Sequence, residues 1–359
     1  MAKRSVLRVG GVTVRPGETK DIRLKVSESY TGDDVSLPIR VIRARREGPT
    51  VFVSAAIHGD ETNGTGIVHD LMFGETLAIG AGAVILVPVL NIFGFESQER
   101  YMPDGRDLNR NFPGSTTGSL TSRIAGTFFR QVVRRCNYGL DLHTAASQRT
   151  NYPNVRGDLS DERVHELARA FGCELMVSKE GPEGSLRREA TKAGCPTIVL
   201  EAGEPLKIQP GVLEVGIQGV VNVLRWLEML EGEPLEPDYQ VRIDGSTWVR
   251  AEVGGLLRFH VAPGQAVKVH QPIATNYSVH GDEQNVLAAP VNGVVLGMTT
   301  LPTVKPGEPV CHLAKVGRFL RRIRLVQQAQ RRTSLPHRLR EQLATNITVS
   351  DREEGVLEN

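Results

Sequence analysis

Cysteine is scarce in this 359-residue chain: Cys136, Cys173, Cys195 and Cys311 are scattered and form no CxxC pair. That pattern argues against a disulfide framework and suits unpaired thiols in a reducing compartment. No window reaches 18 apolar residues, so no membrane span is expected. The start, "MAKRSVLRVGG", carries charge but no apolar core of signal-peptide length. Net charge is only +2, which leaves no whole-molecule field aimed at nucleic acid or a membrane surface. There is no GxSxG elbow and no GxxxxGK phosphate loop, and "AIGAGAV" lacks the third glycine of a dinucleotide fingerprint. These absences lead us to expect a cytoplasmic setting and no nucleic-acid or membrane partner.

Hydrophobic content of 40% and charged content of 23% are ordinary for a globular chain. The length exceeds what one core usually organises, so a large domain plus a smaller one is expected. Residues 1–50 read as short strands with turns. From Thr50, apolar strands alternate with helical stretches: "TVFVSAAI", "GAVILVPVLN", "YGLDLHT" and "CPTIVLEAG" against "NGTGIVHDLMFG", "SLTSRIAGTFFRQVVRRC", "SDERVHELARAFG" and "GVLEVGIQGVVNVLRWLEML". Strands apolar throughout, with helices between, predict an α/β fold. Its central sheet is mostly parallel or mixed, with helices on both faces. The first domain then spans 1–232. "EGEPLEPDYQ" at 231–240 reads as a linker. Residues 241–317, short strands broken by Gly and Pro, read as a small all-β domain. Residues 318–359 form a basic tail.

The tetrapeptide His-Gly-Asp-Glu occurs twice, at 58–61 and 280–283. The first copy lies where an apolar strand turns into a helix, a rigid setting that suits preorganised metal ligands. His58 and Glu61, three residues apart, can reach one ion from a tight turn. His143 ends another strand of the same sheet and offers a third ligand. In open α/β sheets, ligands bind beyond the carboxyl ends of the strands. Two neutral imidazoles and one carboxylate leave a position for water, which a zinc ion activates at a pKa of roughly 7. Glu201, at the end of "PTIVLEAGEP", is the candidate base for that water; Glu204 suits a capping role. "ESQERYMPDGRDLNRNFPG" offers Arg100, Arg106, Asn109 and Arg110 as donors for an anionic intermediate or a substrate carboxylate, the alternative being that some of these arginines only pair with Asp104 and Asp107. The second copy, in β-type sequence with no following helix, reads as an exposed turn. His69 reads as a packed or surface histidine, and His260, His270 and His280 fall too far apart for a shared ion.

"HGDE" at 58–61, "RY" at 100–101, "DLNRNFPG" at 107–114, "DLHT" at 141–144 and "LEAG" at 200–203 follow one another in a familiar order. In this the chain resembles the succinylglutamate desuccinylase/aspartoacylase family, relatives of the zinc carboxypeptidases, over about residues 50–230. The resemblance implies one zinc per chain on His58, Glu61 and His143. It implies Glu201 as general base, Asn109 and Arg110 gripping the substrate carboxylate, and Arg100 polarising the scissile carbonyl. It further implies another substrate arginine, with Arg149, Arg156, Arg187 and Arg188 as candidates. The activity implied is zinc-dependent hydrolysis of the amide bond of a small N-acyl amino acid or related N-acylated amine. The alternatives are a metallocarboxypeptidase acting on peptides and a non-catalytic zinc-binding module.

Two segments lie beyond those motifs. The small β domain has Met298 in "VVLGMTT" but no adjacent lysine, so a swinging-arm carrier role is not expected; it is expected to wall the active-site entrance. Residues 318–340 carry eight arginines and no acid, and the end turns acidic at Asp351, Glu353 and Glu354. Apolar Phe319, Leu320, Ile323 and Leu325 would let a short basic helix dock there, but a solvated, partly disordered appendage is expected. The sharper reading is a subunit contact in a homo-oligomer, or a site for an anionic partner.

Overall fold

A computed structural model describes residues 6–74, 76–281 and 284–349. At its centre the strands Ala81–Val87, Arg46–Ala55, Tyr138–His143 and Thr197–Gly203 lie parallel, side by side in that order. They are apolar because both faces are covered. In the strand Arg46–Ala55, Val51, Val53 and Ala55 enter the core on one face, while Phe52 enters the core on the other. Helices Thr62–Phe73, Glu162–Phe171 and Pro210–Trp226 cover the first face with Ile67, Leu71, Leu167, Phe171 and Val220. Helices Leu120–Gln131 and Leu186–Lys192 cover the second with Ile124, Phe128, Phe129, Leu186 and Ala190.

Antiparallel strands widen the sheet on both sides. Asp34–Arg43 and Thr19–Glu28 form one flank, a hairpin longer than the short strands expected over residues 1–50. On the other side Arg149–Gly157 pairs with Thr197–Gly203. Then come Gly293–Thr299, Pro309–Lys315 and Ser246–Arg250. The remaining strands of this C-terminal region include Gly255–Phe259, Pro272–Tyr277 and Gln284–Ala288, in a separate antiparallel sheet. Its own core holds Leu257, Phe259, Ile273 and Leu287. Residues 241–317 thus contribute to two sheets.

The basic tail, expected to be solvated, packs on the body of the protein, with its last buried side chain at Ile347. Helices Leu320–Ala329 and Leu335–Leu343 bury Leu320, Ile323, Leu339 and Leu343 in the first core. Spacings of three and four residues place these side chains on one stripe and leave Arg321 and Arg322 exposed. Gly211 N donates to Gln342 Oε1 at 2.9 Å, and Arg338 pairs with Glu214 at 2.8 Å. Asp351, Glu353 and Glu354 lie outside the described residues. Among the described residues no helix is long and apolar enough to cross a membrane.

Candidate active site

Ala55, His143 and Gly203 end parallel strands at one edge of the sheet. Beyond that edge the chain turns sharply at Ala56, whose φ is 48°, and delivers His58 and Glu61. Glycine is required inside this turn. A Cβ on Gly59 would stand 1.9 Å from the carbonyl carbon of Gly94, so the turn packs against the helix Ile92–Ser97 with no room for a side chain.

His58, Glu61 and His143 are buried, and one ligand atom from each lies within 4.8 Å of the others. Both imidazoles face the same carboxylate: His58 Nδ1 is 2.7 Å from Glu61 Oε1, and His143 Nδ1 is 2.8 Å from Glu61 Oε2. Their other nitrogens are held by aspartates. His58 Nε2 is 3.1 Å from Asp107 Oδ1, and His143 Nε2 is 2.8 Å from Asp141 Oδ2. Asp141 is fully buried and also accepts the Ser54 hydroxyl at 2.8 Å. A carboxylate on the far nitrogen fixes the tautomer that leaves Nδ1 as the metal-binding lone pair. Burial acts to raise the pKa of Glu61, but the charges of His58 and His143 outweigh it and hold the carboxyl well below its usual range. Burial acts to lower His143, and Asp141 and Glu61 outweigh it, so its pKa rises. The donor set, its burial and its supporting carboxylates fit a divalent ion. Among the described residues no other group of three does.

Glu201 stands opposite His143 on the neighbouring parallel strand. Its Oε1 is 3.2 Å from Arg156 Nη1, and its Oε2 accepts from Asn151 Nδ2 at 3.0 Å. Glu204 is buried and pairs with Lys207 at 2.8 Å. Asn109 uses Oδ1 to accept Leu186 N at 2.8 Å, which leaves its amide nitrogen as the donor. Arg110 is half exposed, 3.9 Å from Asp107. Arg100 pairs with Glu61 at 3.3 Å and Asp107 at 3.2 Å. His280 lies in an exposed turn, and its companions Asp282 and Glu283 lie outside the described residues. His69 is exposed beside Asp70.

His58, Glu61, Arg100, Asn109, Arg110, His143 and Glu201 all line one cleft of about 640 Å³. Of the four further arginine candidates, Arg149, Arg156 and Arg187 line it too. Arg188 instead pairs with Glu180 at 2.9 Å. Burial, followed by the neighbouring Arg156, pushes Arg187 down to about 10. The C-terminal region closes one wall with Ser246, Thr247, Trp248 and His312. Sequence reading missed Asp141, although its place two residues before His143 on a strand puts both on one face. Trp248 and His312 carried no signal, because only the pairing of their strands brings them together.

Fold and site define a class: a mixed α/β protein with a candidate metal centre at the carboxyl edge of its parallel strands. The succinylglutamate desuccinylase/aspartoacylase catalytic domain matches residues 47–227. An N-alpha-acetyl-L-2,4-diaminobutyric acid deacetylase from Halomonas elongata is 30% identical over 296 residues, covering 79% of this chain and 86% of that protein. The chain belongs to the succinylglutamate desuccinylase/aspartoacylase family and is a hydrolase of carbon–nitrogen amide bonds. Solved structures share its fold. The product-bound ectoine utilization protein EutE (DoeB) from Ruegeria pomeroyi has a TM-score of 0.74 at 23% identity, covering 84% of this chain and 97% of that one. A succinylglutamatedesuccinylase/aspartoacylase from Rhodobacter sphaeroides has a TM-score of 0.73 at 23% identity, covering 84% and 96%.

Proposed function

We propose that this chain is a zinc-dependent deacylase that hydrolyses the amide bond of a small N-acyl amino acid. The observation that carries the reading is the buried His58–Glu61–His143 set with Glu201 one strand away in the same cleft. The deacetylase relative supports the substrate class. Zinc, when bound by those three residues, supplies a Lewis acid and brings the pKa of water to about 7.

The chain's own groups do the rest. Glu201 takes the proton of the attacking water and returns it to the leaving amine. Arg156 and Asn151 hold its carboxylate in place for both transfers. The Asn109 amide nitrogen and Arg110 hold the substrate carboxylate, a charge-assisted contact that orients the scissile bond. Arg100 donates to the carbonyl oxygen once Glu61 is engaged as a ligand. The wall from Ser246 to Trp248 confines the cleft, which supports a small substrate over a peptide.

The test is a panel of N-acetyl amino acids, N-succinyl amino acids and peptides, assayed for amine release. We expect hydrolysis of N-acyl amino acids that a chelator removes and zinc restores. Cleavage of peptides alone would overturn the reading.

A further inference from the structure

Asn151 and Arg156 both reach the carboxylate of Glu201, yet they stand at an odd spacing on one strand. On a regular strand side chains alternate, so an odd spacing sends them to opposite faces. The strand Arg149–Gly157 is not regular. Against Thr197–Gly203 its register pairs Glu201 with Asn154 but Gly203 with Asn151, so Tyr152 and Pro153 together face Ala202. This is a β-bulge, which inserts one residue and re-aims the side chains beyond it. Proline, with no amide hydrogen to donate, is tolerated inside a sheet at such a place.

The bulge is held from two sides. On the side away from the cleft, the Tyr152 ring is buried in the first core, and a Cβ on Gly264 would stand 2.4 Å from it. The Tyr152 hydroxyl donates to Glu174 Oε2 at 2.8 Å. Glu174 is buried as well, and is fixed in turn by Tyr239 Oη at 3.0 Å and Gln330 Nε2 at 3.3 Å. The outer edge of the strand pairs with Gly293–Thr299 as far as Asn151 and with Leu175–Ser178 from Val155. Tyr152 falls between those two partners, where its hydroxyl supplies the anchor. On the other side stands Asn154, fully buried. Its Nδ2 donates to the Tyr152 carbonyl at 2.8 Å, and its Oδ1 accepts Arg156 Nε at 3.0 Å. One line of contacts thus runs from Glu174 through Tyr152 and Asn154 to Arg156 and Glu201.

Resting on the deacylase reading, we infer that Tyr152, Glu174 and Asn154 are positioning residues: they lock the bulge that turns Asn151 and Arg156 onto Glu201, and so aim the general base from behind the sheet. None of the three lines the cleft. Loss of the bulge returns the strand to plain alternation and turns one of the two side chains away from Glu201. A reacting group displaced by about 1 Å costs about a hundredfold in rate. Tyr239 and Gln330 lie beyond the matched catalytic domain at 47–227, so the anchor ties the C-terminal part of the chain to the chemistry.

The experiment measures kcat and KM of full-length, zinc-loaded Y152F on the N-acyl amino acid that the wild type cleaves fastest, and determines the variant's crystal structure. The kcat falls about ten- to a hundredfold while KM stays near the wild-type value, because Asn109 and Arg110 still hold the substrate. E174Q, which keeps an oxygen for the Tyr152 hydroxyl, retains most of the kcat, whereas E174A loses it as Y152F does. In the E201Q background Y152F brings no further loss, since no base remains to be aimed. In the Y152F crystal Asn151 Nδ2 leaves hydrogen-bond distance of Glu201. A folded, zinc-loaded Y152F with normal kcat, an equal loss in the E201Q background, or an unmoved Asn151 would overturn the proposal. If the wild type cleaves no N-acyl amino acid, or E201Q keeps its turnover, the deacylase reading fails, and the place of Asn151 in the Y152F crystal alone decides the anchor. Circular dichroism checks folding; if Y152F does not fold, N154A, which frees the Tyr152 carbonyl, is read in the same way.

Discussion

Asp141 does not line the cleft, yet two substitutions at this position report on the candidate metal site. Its Oδ2 holds His143 Nε2 at 2.8 Å and its Oδ1 accepts Ser54 Oγ at 2.8 Å, with no solvent exposure. Asp141→Ala removes the acceptor and the charge together. The imidazole then loses the partner that keeps its proton on Nε2, and Nδ1 loses both basicity and fixed orientation. Removing such a supporting carboxylate costs about 10- to 100-fold in metal affinity, or roughly 1.4–2.7 kcal/mol. Asp141→Asn is gentler. Its carbonyl can accept from His143 and its amide can donate to Ser54 Oγ, so the bonds persist and only the charge is lost. The order expected is Ala near the upper end of that range and Asn near the lower. The assay is titration of metal-free protein with zinc against a chromogenic chelator. The Ser54 hydroxyl stranded in the Ala variant costs about 1–3 kcal/mol, less than typical domain stability, so the fold should persist by circular dichroism. A folded Asp141→Ala protein with unchanged zinc affinity would refute the reasoning, as would an Asn variant weaker than the Ala variant.

Leu343→Ala tests the packed tail: a fully buried leucine cut to alanine costs about 2–5 kcal/mol, and by the usual unfolding entropy per residue that lowers Tm by about 3–7 °C in a chain this long. A solvated tail would give no shift in scanning calorimetry. Gly59→Ala forces a methyl into the Gly94 backbone and should destabilise by at least about 1–3 kcal/mol while weakening zinc binding, although neither glycine is a ligand. Normal stability and zinc content in that variant would show that the turn can yield. His280→Ala should leave zinc content untouched, whereas His58→Ala should abolish it, both read by elemental analysis of purified protein.

The candidate metal set was legible because His143 ends an apolar strand and His58 and Glu61 fall in the turn between another apolar strand and the helix Thr62–Phe73. The tail was misread because eight arginines outweighed a weaker signal that was present, apolar residues three apart at Leu320 and Ile323 and four apart at Leu339 and Leu343. The strand Arg149–Gly157 escaped notice for a functional reason. Its sequence, "RTNYPNVRG", is polar because Arg149, Asn151 and Arg156 line the cleft, so the site broke the apolar pattern of its neighbours. Trp248 and His312 lie 64 positions apart by their numbering and meet only through strand register, which periodicity does not report.

The central claim is that Glu201 moves the proton for a metal held by His58, Glu61 and His143. Glu201→Gln keeps the shape and the Asn151 and Arg156 neighbourhood but cannot accept a proton. Its turnover on the best N-acyl amino acid should be measured together with its zinc content. The account predicts about one zinc per chain and a loss of at least roughly a hundredfold in kcat. A fully zinc-loaded Glu201→Gln enzyme with near-normal kcat would contradict it.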